Sequence, residues 1–214
     1  MNKELFTRIL SSLILIPIVF FLIHKGSIFF NIFILTIFLI TIYEWHYLSF
    51  KKAYYLPGFI FVIFSFYTFY FLRNENDYNF FLLILLICVA TDIGGYIFGN
   101  IFKGPKIYKK ISPNKTYAGS IGGFLLSILL VYIFSKKNFI ISDDIPNQFG
   151  KDEFLFILII STVSQIGDFI ISFFKRKAKK KNTGSIIPGH GGLLDRIDGM
   201  IFALPFAYMY FNLF

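Results

Sequence analysis

Residues 80–98 read FFLLILLICVATDIGGYIF, an apolar run in which Asp92 is the single charged residue. A helix that crosses the hydrocarbon core of a bilayer needs about 20 mostly apolar residues, and this run approaches that length. Six further runs of the same character lie at residues 9–23, 28–43, 57–72, 118–134, 154–174 and 200–214. The sequence therefore predicts an all-α protein, a polytopic transmembrane helical bundle of about seven spans that forms a single domain over residues 1–214.

The composition excludes a soluble globular protein. Of the 214 residues, 56% are hydrophobic, 21% are aromatic and only 15% are charged, and the mean hydropathy is +0.68. A soluble domain of this length could not bury so much apolar surface. The net charge of +9 resides in short loops, so it indicates membrane topology and attraction to anionic lipid or nucleotide, not to nucleic acid. The single cysteine, Cys88, excludes an intrachain disulfide and a cysteine-based metal site.

The distribution of basic residues predicts the orientation in the membrane. With seven spans and a cytoplasmic amino terminus, most of the 21 Lys and Arg residues fall on the cytoplasmic side, as the positive-inside rule requires. We expect the run at residues 9–23 to be retained as a span, since no small-residue cleavage site follows it. The two large loops on the cytoplasmic side, residues 100–117 and 175–199, are the candidates for chemistry.

Two acidic residues lie inside predicted spans. Because an unpaired charge in hydrocarbon is costly, Asp92 is expected to have a polar partner or to face a polar cavity, with Tyr96 one helical turn away. Gly95 and Gly99, also four residues apart, predict a close helix contact. Asp168 belongs to a stripe of polar residues at a spacing of four, formed by Ser164, Asp168, Ser172 and Arg176. Hydrogen bonding between packed helices is the alternative for both acids, but for Asp92 a functional role is favoured because acids inside membrane spans are usually functional.

The densest cluster of polar and glycine residues is PGHGGLLDRID at residues 188–198. Its proline and three glycines oppose a regular helix before Leu193, which leaves backbone N–H groups available to phosphate oxygens. Asp195 and Asp198 are predicted to share one face of a helix that follows, an arrangement that suits Mg²⁺, with Mn²⁺ fitting the same ligands. Compensation of helix-terminal charge is the alternative for this pair, and His190 could bind phosphate, orient an aspartate or cap a turn.

Both large loops are basic. In the run at residues 175–181, Lys175 and Arg176 are closest to the Asp168 stripe and are expected to contact phosphate, while others satisfy topology alone. Residues 109–123 read KKISPNKTYAGSIGG and mix basic, hydroxyl and glycine residues. This second loop lacks the Walker pattern, so a P-loop ATPase is not supported.

These motifs carry a family resemblance. SFFKR at residues 172–176, followed by PGHGGLLDRID, resembles the carboxyl-terminal signature of the phosphatidate cytidylyltransferase (CDP-diacylglycerol synthase) family. Residues 112–116 with 119–123, and Asp92 with Tyr96 and Gly99, resemble two further blocks of the family. The resemblance begins near residue 92, and it divides the chain into amino-terminal spans (1–90) and catalytic spans with cytoplasmic loops (91–214). The sequence departs from the family pattern in two places. Asn182 replaces a usual Asp, and Ile170 and Ile171 stand where a Glu is common.

The resemblance implies a metal-dependent enzyme of phospholipid biosynthesis that converts CTP and phosphatidate to CDP-diacylglycerol and pyrophosphate. Its implied partners are CTP, phosphatidic acid and membrane lipids, and no nucleic acid is expected. A homodimer is one of the oligomeric states that the sequence leaves open. Its implied location is a bacterial-type cytoplasmic (inner) membrane, with the active site facing the cytoplasm. The implied catalytic residues are Asp168, Asp195, Asp198, Lys175, Arg176 and His190, of which the three aspartates bind metal. The implied substrate-binding residues are Ser112, Asn114, Lys115, Thr116, Ser172, Gly189, Gly191, Gly192, Arg196, Asp92 and Tyr96.

Three other functions compete with this interpretation. A secondary transporter or cation channel would use Asp92 and Asp168 as ion ligands but would leave the cluster at residues 188–198 without a role. Another CTP-using lipid enzyme, such as a polyprenol or phytol kinase, has a similar architecture and similar metal needs. A membrane scaffold without enzymatic activity would show no dependence on CTP.

Overall fold

The computed structural model of the protein describes residues 3–74, 78–136, 150–187, 189 and 191–213. Most of these residues are helical, and each predicted apolar run overlaps one helix. The helices are α1 (Lys3–Lys25), α2 (Ser27–Ser49), α3 (Tyr55–Asn74), α4 (Tyr78–Phe102), α5 (Tyr117–Lys136), α6 (Lys151–Lys177), α7 (Leu194–Ile197) and α8 (Met200–Leu213), and the strands are β1 (Lys106–Tyr108) and β2 (Ser112–Thr116).

Within the residues that the structure describes, five helices, α2 to α6, contain segments long and apolar enough to cross a membrane, and shorter apolar segments lie at Leu13–Lys25 and Met200–Asn212. Large apolar side chains point outward from these helices; for example, Ile16, Leu56 and Ile101 are each about two-thirds exposed. Lipid chains are as apolar as these side chains and solvate them. The prediction of an all-α, polytopic membrane protein is confirmed. The count of seven spans and the cytoplasmic amino terminus stay predictions.

The chain forms two compact units. Unit 1 comprises Met1–Tyr70 and Phe174–Ile197, and unit 2 comprises Phe71–Phe173 and Asp198–Phe214. The predicted single domain with a division near residue 90 stays a prediction.

Trp45 lies at the centre of the core of unit 1. Its side chain is buried, and its indole N–H donates a hydrogen bond to the carbonyl oxygen of Tyr55 at 3.1 Å. The ring packs edge-on against Phe174, with ring centroids 5.3 Å apart, and it lies directly against Gly58, where a Cβ atom would overlap the indole. These contacts join α2, α3 and the end of α6 within this unit.

In unit 2, α4 and α5 approach closely along a row of glycines. A Cβ atom on Gly119 would lie 2.7 Å from the carbonyl oxygen of Gly95, and one on Gly94 would overlap the carbonyl oxygen of Gly122. Small residues allow such close packing in membranes, where no hydrophobic force drives helices together. The predicted close contact at Gly95 and Gly99 is confirmed, since Gly99 also abuts Gly119. Thr91 of α4 also contacts α6, where its hydroxyl forms a hydrogen bond with the hydroxyl of Ser161 at 2.7 Å.

We expect Gly94→Ala to destabilise the protein and Gly95→Ala to be tolerated. The added methyl at position 94 collides with backbone, whereas at position 95 the nearest atom would be 3.7 Å away. Overpacking of this kind costs roughly 1–3 kcal/mol, which lowers the melting temperature by about 2–4 °C for each kcal/mol in a chain of this size. Thermal melting of the detergent-solubilised variants measures the difference, and equal melting temperatures would contradict the packing described here.

The loop at residues 100–117 contains a β-hairpin that the sequence analysis did not predict. Strands β1 and β2 pair antiparallel, with Lys106 opposite Thr116 and Tyr108 opposite Ser112. Thr116 then caps α5, since its buried hydroxyl accepts a hydrogen bond from the backbone N–H of Gly119 at 3.0 Å. The hairpin and the cap together fix the backbone on either side of Lys115.

Candidate functional site

Two clusters of charged side chains lie in the regions that the sequence singled out, one in each unit. We call the cluster of Glu44, Lys175, Thr183, Gly192 and Asp195 in unit 1 the loop site. We call the cluster of Lys115, Asp168, Phe169 and Ser172 in unit 2 the hairpin site.

The Asp195 carboxylate is the centre of the loop site. Its Oδ1 atom accepts a hydrogen bond from the Lys175 ammonium at 2.7 Å. Its Oδ2 atom accepts from the backbone N–H groups of Thr183 at 2.9 Å and Gly192 at 3.2 Å, and from the Thr183 hydroxyl at 3.1 Å. The Lys175 and Asp195 side chains are only 11% and 9% exposed. Burial of two charges is tolerated here because each neutralises the other and the remaining lone pairs are hydrogen-bonded.

The end of α6 positions Lys175. The helix terminates with Lys179 in the left-handed conformation, at φ 57°. The backbone N–H of Lys180 bonds to the carbonyl of Lys175 and that of Lys179 to the carbonyl of Arg176, both at 2.9 Å. This is the Schellman arrangement of a helix end. Lys175 therefore sits on an ordered last turn and not in a free loop.

Glycines shape the opposite wall of the loop site. Gly189 and Gly191 adopt positive φ of 75° and 88°, a conformation that glycine adopts without strain. Ile187 and Gly191 exchange two backbone hydrogen bonds, at 3.0 and 3.2 Å. Gly192 follows this bridge and donates its N–H to Asp195, so the predicted glycine backbone here contacts a carboxylate of the protein itself.

Glu44 on α2 completes the loop site, and the sequence analysis missed it. Its side chain is fully buried. Oε1 accepts from the backbone N–H of Leu193 at 2.9 Å, and Oε2 accepts from the N–H of Leu194 and the hydroxyl of Thr183, both at 2.8 Å. The available signal in the sequence was an acidic residue directly after the apolar run at residues 28–43, which, like Asp92 within its run, indicates a carboxylate that needs a polar partner.

The hairpin site is an ion pair at partial exposure. The Lys115 ammonium on β2 lies 2.5 Å from Oδ2 of Asp168 on α6, and the two side chains are 25% and 26% exposed. The Ser172 hydroxyl donates to Oδ1 of Asp168 at 3.2 Å, as the predicted polar stripe requires. The ammonium also lies 4.4 Å from the centre of the Phe169 ring, a favourable cation–π contact.

The predicted pairing of Asp195 and Asp198 on one helix face is wrong. Helix α7 ends at Ile197, so Asp198 lies in the turn before α8, where its carboxylate accepts the backbone N–H of Gly199 at 3.0 Å. Asp198 is nearly buried. Its carbonyl oxygen would be 2.9 Å from a Cβ atom on Gly167, so within unit 2 it lies beside the residue that precedes Asp168.

The remaining predicted residues occupy other positions. Arg176 and Arg196 are exposed in unit 1, and an Arg176 guanidinium N–H donates to the carbonyl oxygen of Lys180 at 3.1 Å. Asp92 and Tyr96 both lie on exposed surface of α4, Tyr96 being 74% exposed. On the hairpin, Asn114 is exposed and Ser112 is half-buried. His190 and Pro188 lie outside the described residues.

The carboxylates suit a hard cation by chemistry. Mg²⁺ commonly takes one or two carboxylates, with substrate phosphates and water completing its shell. Asp168 and Asp195 each offer such oxygens, although each is bonded to a lysine. Within the part of the chain that the structure describes, no three His, Cys, Asp or Glu side chains form a metal-binding group. Magnesium binding by Asp168, Asp195 and Asp198 therefore stays a prediction.

Comparison with known proteins extends these observations. A sequence model of the cytidylyltransferase family matches residues 51–214. A Rickettsia felis protein named phosphatidate cytidylyltransferase is 33% identical over 213 residues, which cover 97% of this chain and 92% of the relative. Proteins of the same name from Bacillus subtilis and Brucella suis are 35% and 34% identical, over 72% and 67% of this chain. The chain spans about half the length of these two relatives, at 56% and 51%.

The family match takes in both clusters of charged side chains apart from Glu44, and the Rickettsia relative covers the region of Glu44 as well. The resemblance drawn from residues 92–198 is confirmed. This chain belongs to the cytidylyltransferase family.

Proposed function

We propose that this protein is a phosphatidate cytidylyltransferase, which transfers the cytidylyl group of CTP to phosphatidate and yields CDP-diacylglycerol and pyrophosphate. The observation that carries the proposal is the similarity to the Rickettsia enzyme, which extends over 97% of this chain. In the reaction, a phosphate oxygen of phosphatidate attacks the α-phosphorus of CTP. A new phosphorus–oxygen bond forms, and the bond to the β-phosphate oxygen breaks to release pyrophosphate.

The two lysine–aspartate pairs suit this chemistry. Nucleophile and electrophile are both anionic, so the reaction needs neutralisation of charge and alignment more than it needs a strong base. Lys175 and Lys115 each supply a cation that is already held in place by a carboxylate. In the proposed reaction, phosphate oxygens of the substrates replace the aspartates as the partners of these two lysine ammonium groups.

One or two divalent cations, Mg²⁺ or Mn²⁺, are part of the proposal. Asp168, Asp195 and Asp198 are the candidate ligands, and the bound metal would neutralise the triphosphate and the departing pyrophosphate. Release of Lys175 to phosphate would leave oxygens of Asp195 open to a metal ion, and release of Lys115 would do the same for Asp168. In this proposal each lysine neutralises its aspartate before substrate binds and neutralises a phosphate afterwards.

The location follows from the substrates and the basic loops. Phosphatidate keeps its acyl chains in the bilayer, and the basic residues at 103–115 and 175–181 favour the cytoplasmic side. We propose a bacterial-type cytoplasmic membrane with the site facing the cytoplasm. CTP, phosphatidate and membrane lipids are the partners in this proposal. We expect no nucleic-acid ligand, and a homodimer stays a prediction.

Release of pyrophosphate tests the proposed function. Purified protein in phospholipid vesicles should release pyrophosphate only when CTP, phosphatidate and Mg²⁺ are all present. A CTP-dependent lipid kinase would release CDP instead, and a transporter or scaffold would release neither product. Folded protein that releases no pyrophosphate under these conditions would contradict the proposal.

A further inference from the structure

The fully buried Glu44 carboxylate has no role in the chemistry proposed above. Its three hydrogen-bond donors are neutral groups of residues 183–194, which lie 139 to 150 residues away in sequence. A buried carboxylate is tolerated only where several donors satisfy it. Glu44 and these donors therefore depend on each other for their placement.

Thr183 connects Glu44 to the lysine–aspartate pair. Its hydroxyl oxygen lies 2.8 Å from Oε2 of Glu44 and 3.1 Å from Oδ2 of Asp195. The hydroxyl has one proton to share between the two carboxylates. The backbone N–H of Thr183 also donates to Asp195 at 2.9 Å. Glu44 and Asp195 thus both accept hydrogen bonds from Thr183.

Two glycines allow the carboxylate to lie directly against backbone. A Cβ atom on Gly184 would be 2.6 Å from Oε1 of Glu44, and one on Gly192 would be 2.6 Å from Oε2. Gly192 is also the residue whose N–H donates to Asp195. Glu44 therefore contacts both segments that supply backbone N–H bonds to Asp195, one around residue 183 and the other at residues 192–194.

We propose that Glu44 is a positioning residue, which holds Thr183 and residues 192–194 in the conformation that keeps Asp195 aligned with Lys175. The inference rests on the proposed cytidylyltransferase function. Glu44 acts through the loop and does not contact substrate. A misplacement of about 1 Å at a reacting centre can cost roughly 100-fold in rate, so loss of this anchor appears mainly in kcat.

Glu44→Gln tests the proposal with little change in shape. The amide keeps one acceptor oxygen, and its NH₂ group must face the backbone N–H of either Leu193 or Leu194, which cannot accept, so at least one contact with the loop is lost. We expect kcat for cytidylyl transfer to fall about 10- to 100-fold, with KM for CTP within about threefold of the wild-type value. Thr41→Val is the matched control, because Thr41 is equally buried on α2 but, among the described residues, its hydroxyl bonds only to the carbonyl of Ile37 in its own helix.

Hydrogen exchange supplies a readout that is independent of activity. The amides of Thr183 and of residues 192–194 should exchange faster in Glu44→Gln than in the wild type and should be unchanged in Thr41→Val. A Glu44→Gln enzyme with wild-type kcat would overturn the proposal, and so would a fall in kcat without faster exchange in this segment. If the wild type is inactive, the proposed function fails, while the exchange comparison still tests the anchoring.

If Glu44→Gln does not fold, a second pair of variants tests the connection between Glu44 and Asp195 through Thr183. Thr183→Val removes the shared hydroxyl and keeps the side-chain shape, whereas Thr183→Ser keeps the hydroxyl. We expect the valine variant to lose about fivefold to tenfold in kcat and the serine variant to retain most of it. Equal activity in the two variants would overturn the link between Glu44 and Asp195.

Discussion

Asp195→Ala should abolish cytidylyl transfer, with a loss of roughly 1000-fold or more in kcat. The substitution removes the charge that holds Lys175 and one candidate ligand of the metal. It also leaves a nearly buried ammonium without its partner, which costs about 3–5 kcal/mol of folding stability in comparable pairs. The rate of pyrophosphate release per folded molecule is therefore the quantity to compare.

The stability effect of Asp195→Ala has its own control. The double variant Asp195→Ala with Lys175→Met removes both charges, so it should recover much of the melting temperature while remaining inactive. Asp195→Asn keeps the side-chain volume and can still accept the N–H groups of Thr183 and Gly192, but it loses the ion pair. Wild-type activity in Asp195→Asn would show that the reaction does not depend on the charge of Asp195.

Lys115→Met should reduce kcat/KM by roughly 100-fold while leaving stability nearly unchanged. The pair with Asp168 is about one-quarter exposed on each side, and ion pairs near the surface contribute little to folding. The same ammonium facing a phosphate in a transition state contributes far more. Steady-state kinetics with CTP and phosphatidate varied in turn measure the loss.

Lys110→Met is the control for Lys115→Met, since Lys110 is an exposed lysine of the same loop. It tests whether the effect comes from one positioned ammonium or from the overall positive charge of the loop. Equal losses in the two variants would indicate a general electrostatic attraction of nucleotide. A Lys115→Met enzyme as fast as the wild type would exclude the hairpin site from the reaction.

The helical membrane architecture could be predicted from the sequence because each apolar run carries its own evidence. Length and hydropathy of each apolar run decide whether it can span a bilayer, and tertiary contacts do not change that requirement. The hairpin of β1 and β2 gave no such signal, since its strands are short and Pro113 interrupts the pattern expected of a strand. The end of α7 at Ile197 was equally invisible, and it separates Asp198 from the helix that carries Asp195.

The candidate site was predictable as a set of residues but not as a set of contacts. Lys115, Asp168, Lys175 and Asp195 were each identified, whereas their pairing depends on the packing of segments far apart in sequence. Glu44 was missed because its partners are backbone N–H groups and a hydroxyl, which no sequence motif marks. The apolar run was also placed at residues 28–43, whereas α2 continues to Ser49.

Asn182, the departure from the family pattern, lies within the loop site. A Cβ atom on Gly191 would be 3.3 Å from the Asn182 side chain and 3.4 Å from Oδ2 of Asp195. A neutral amide therefore stands near the central carboxylate, at the position where the resemblance drawn from the sequence predicts an acid. With Lys175 as the partner of Asp195, the loop site in this chain carries one negative charge fewer than the family pattern implies.

The fate of two labels in CTP tests the proposed function most directly. Reconstituted protein is supplied with phosphatidate, Mg²⁺ and CTP labelled with ³²P at either the α- or the γ-phosphate, and the lipid fraction is counted. A cytidylyltransferase places the α-label in lipid and releases the γ-label as pyrophosphate. Label from the γ-position in lipid, or no label in lipid from folded protein, would contradict the assignment.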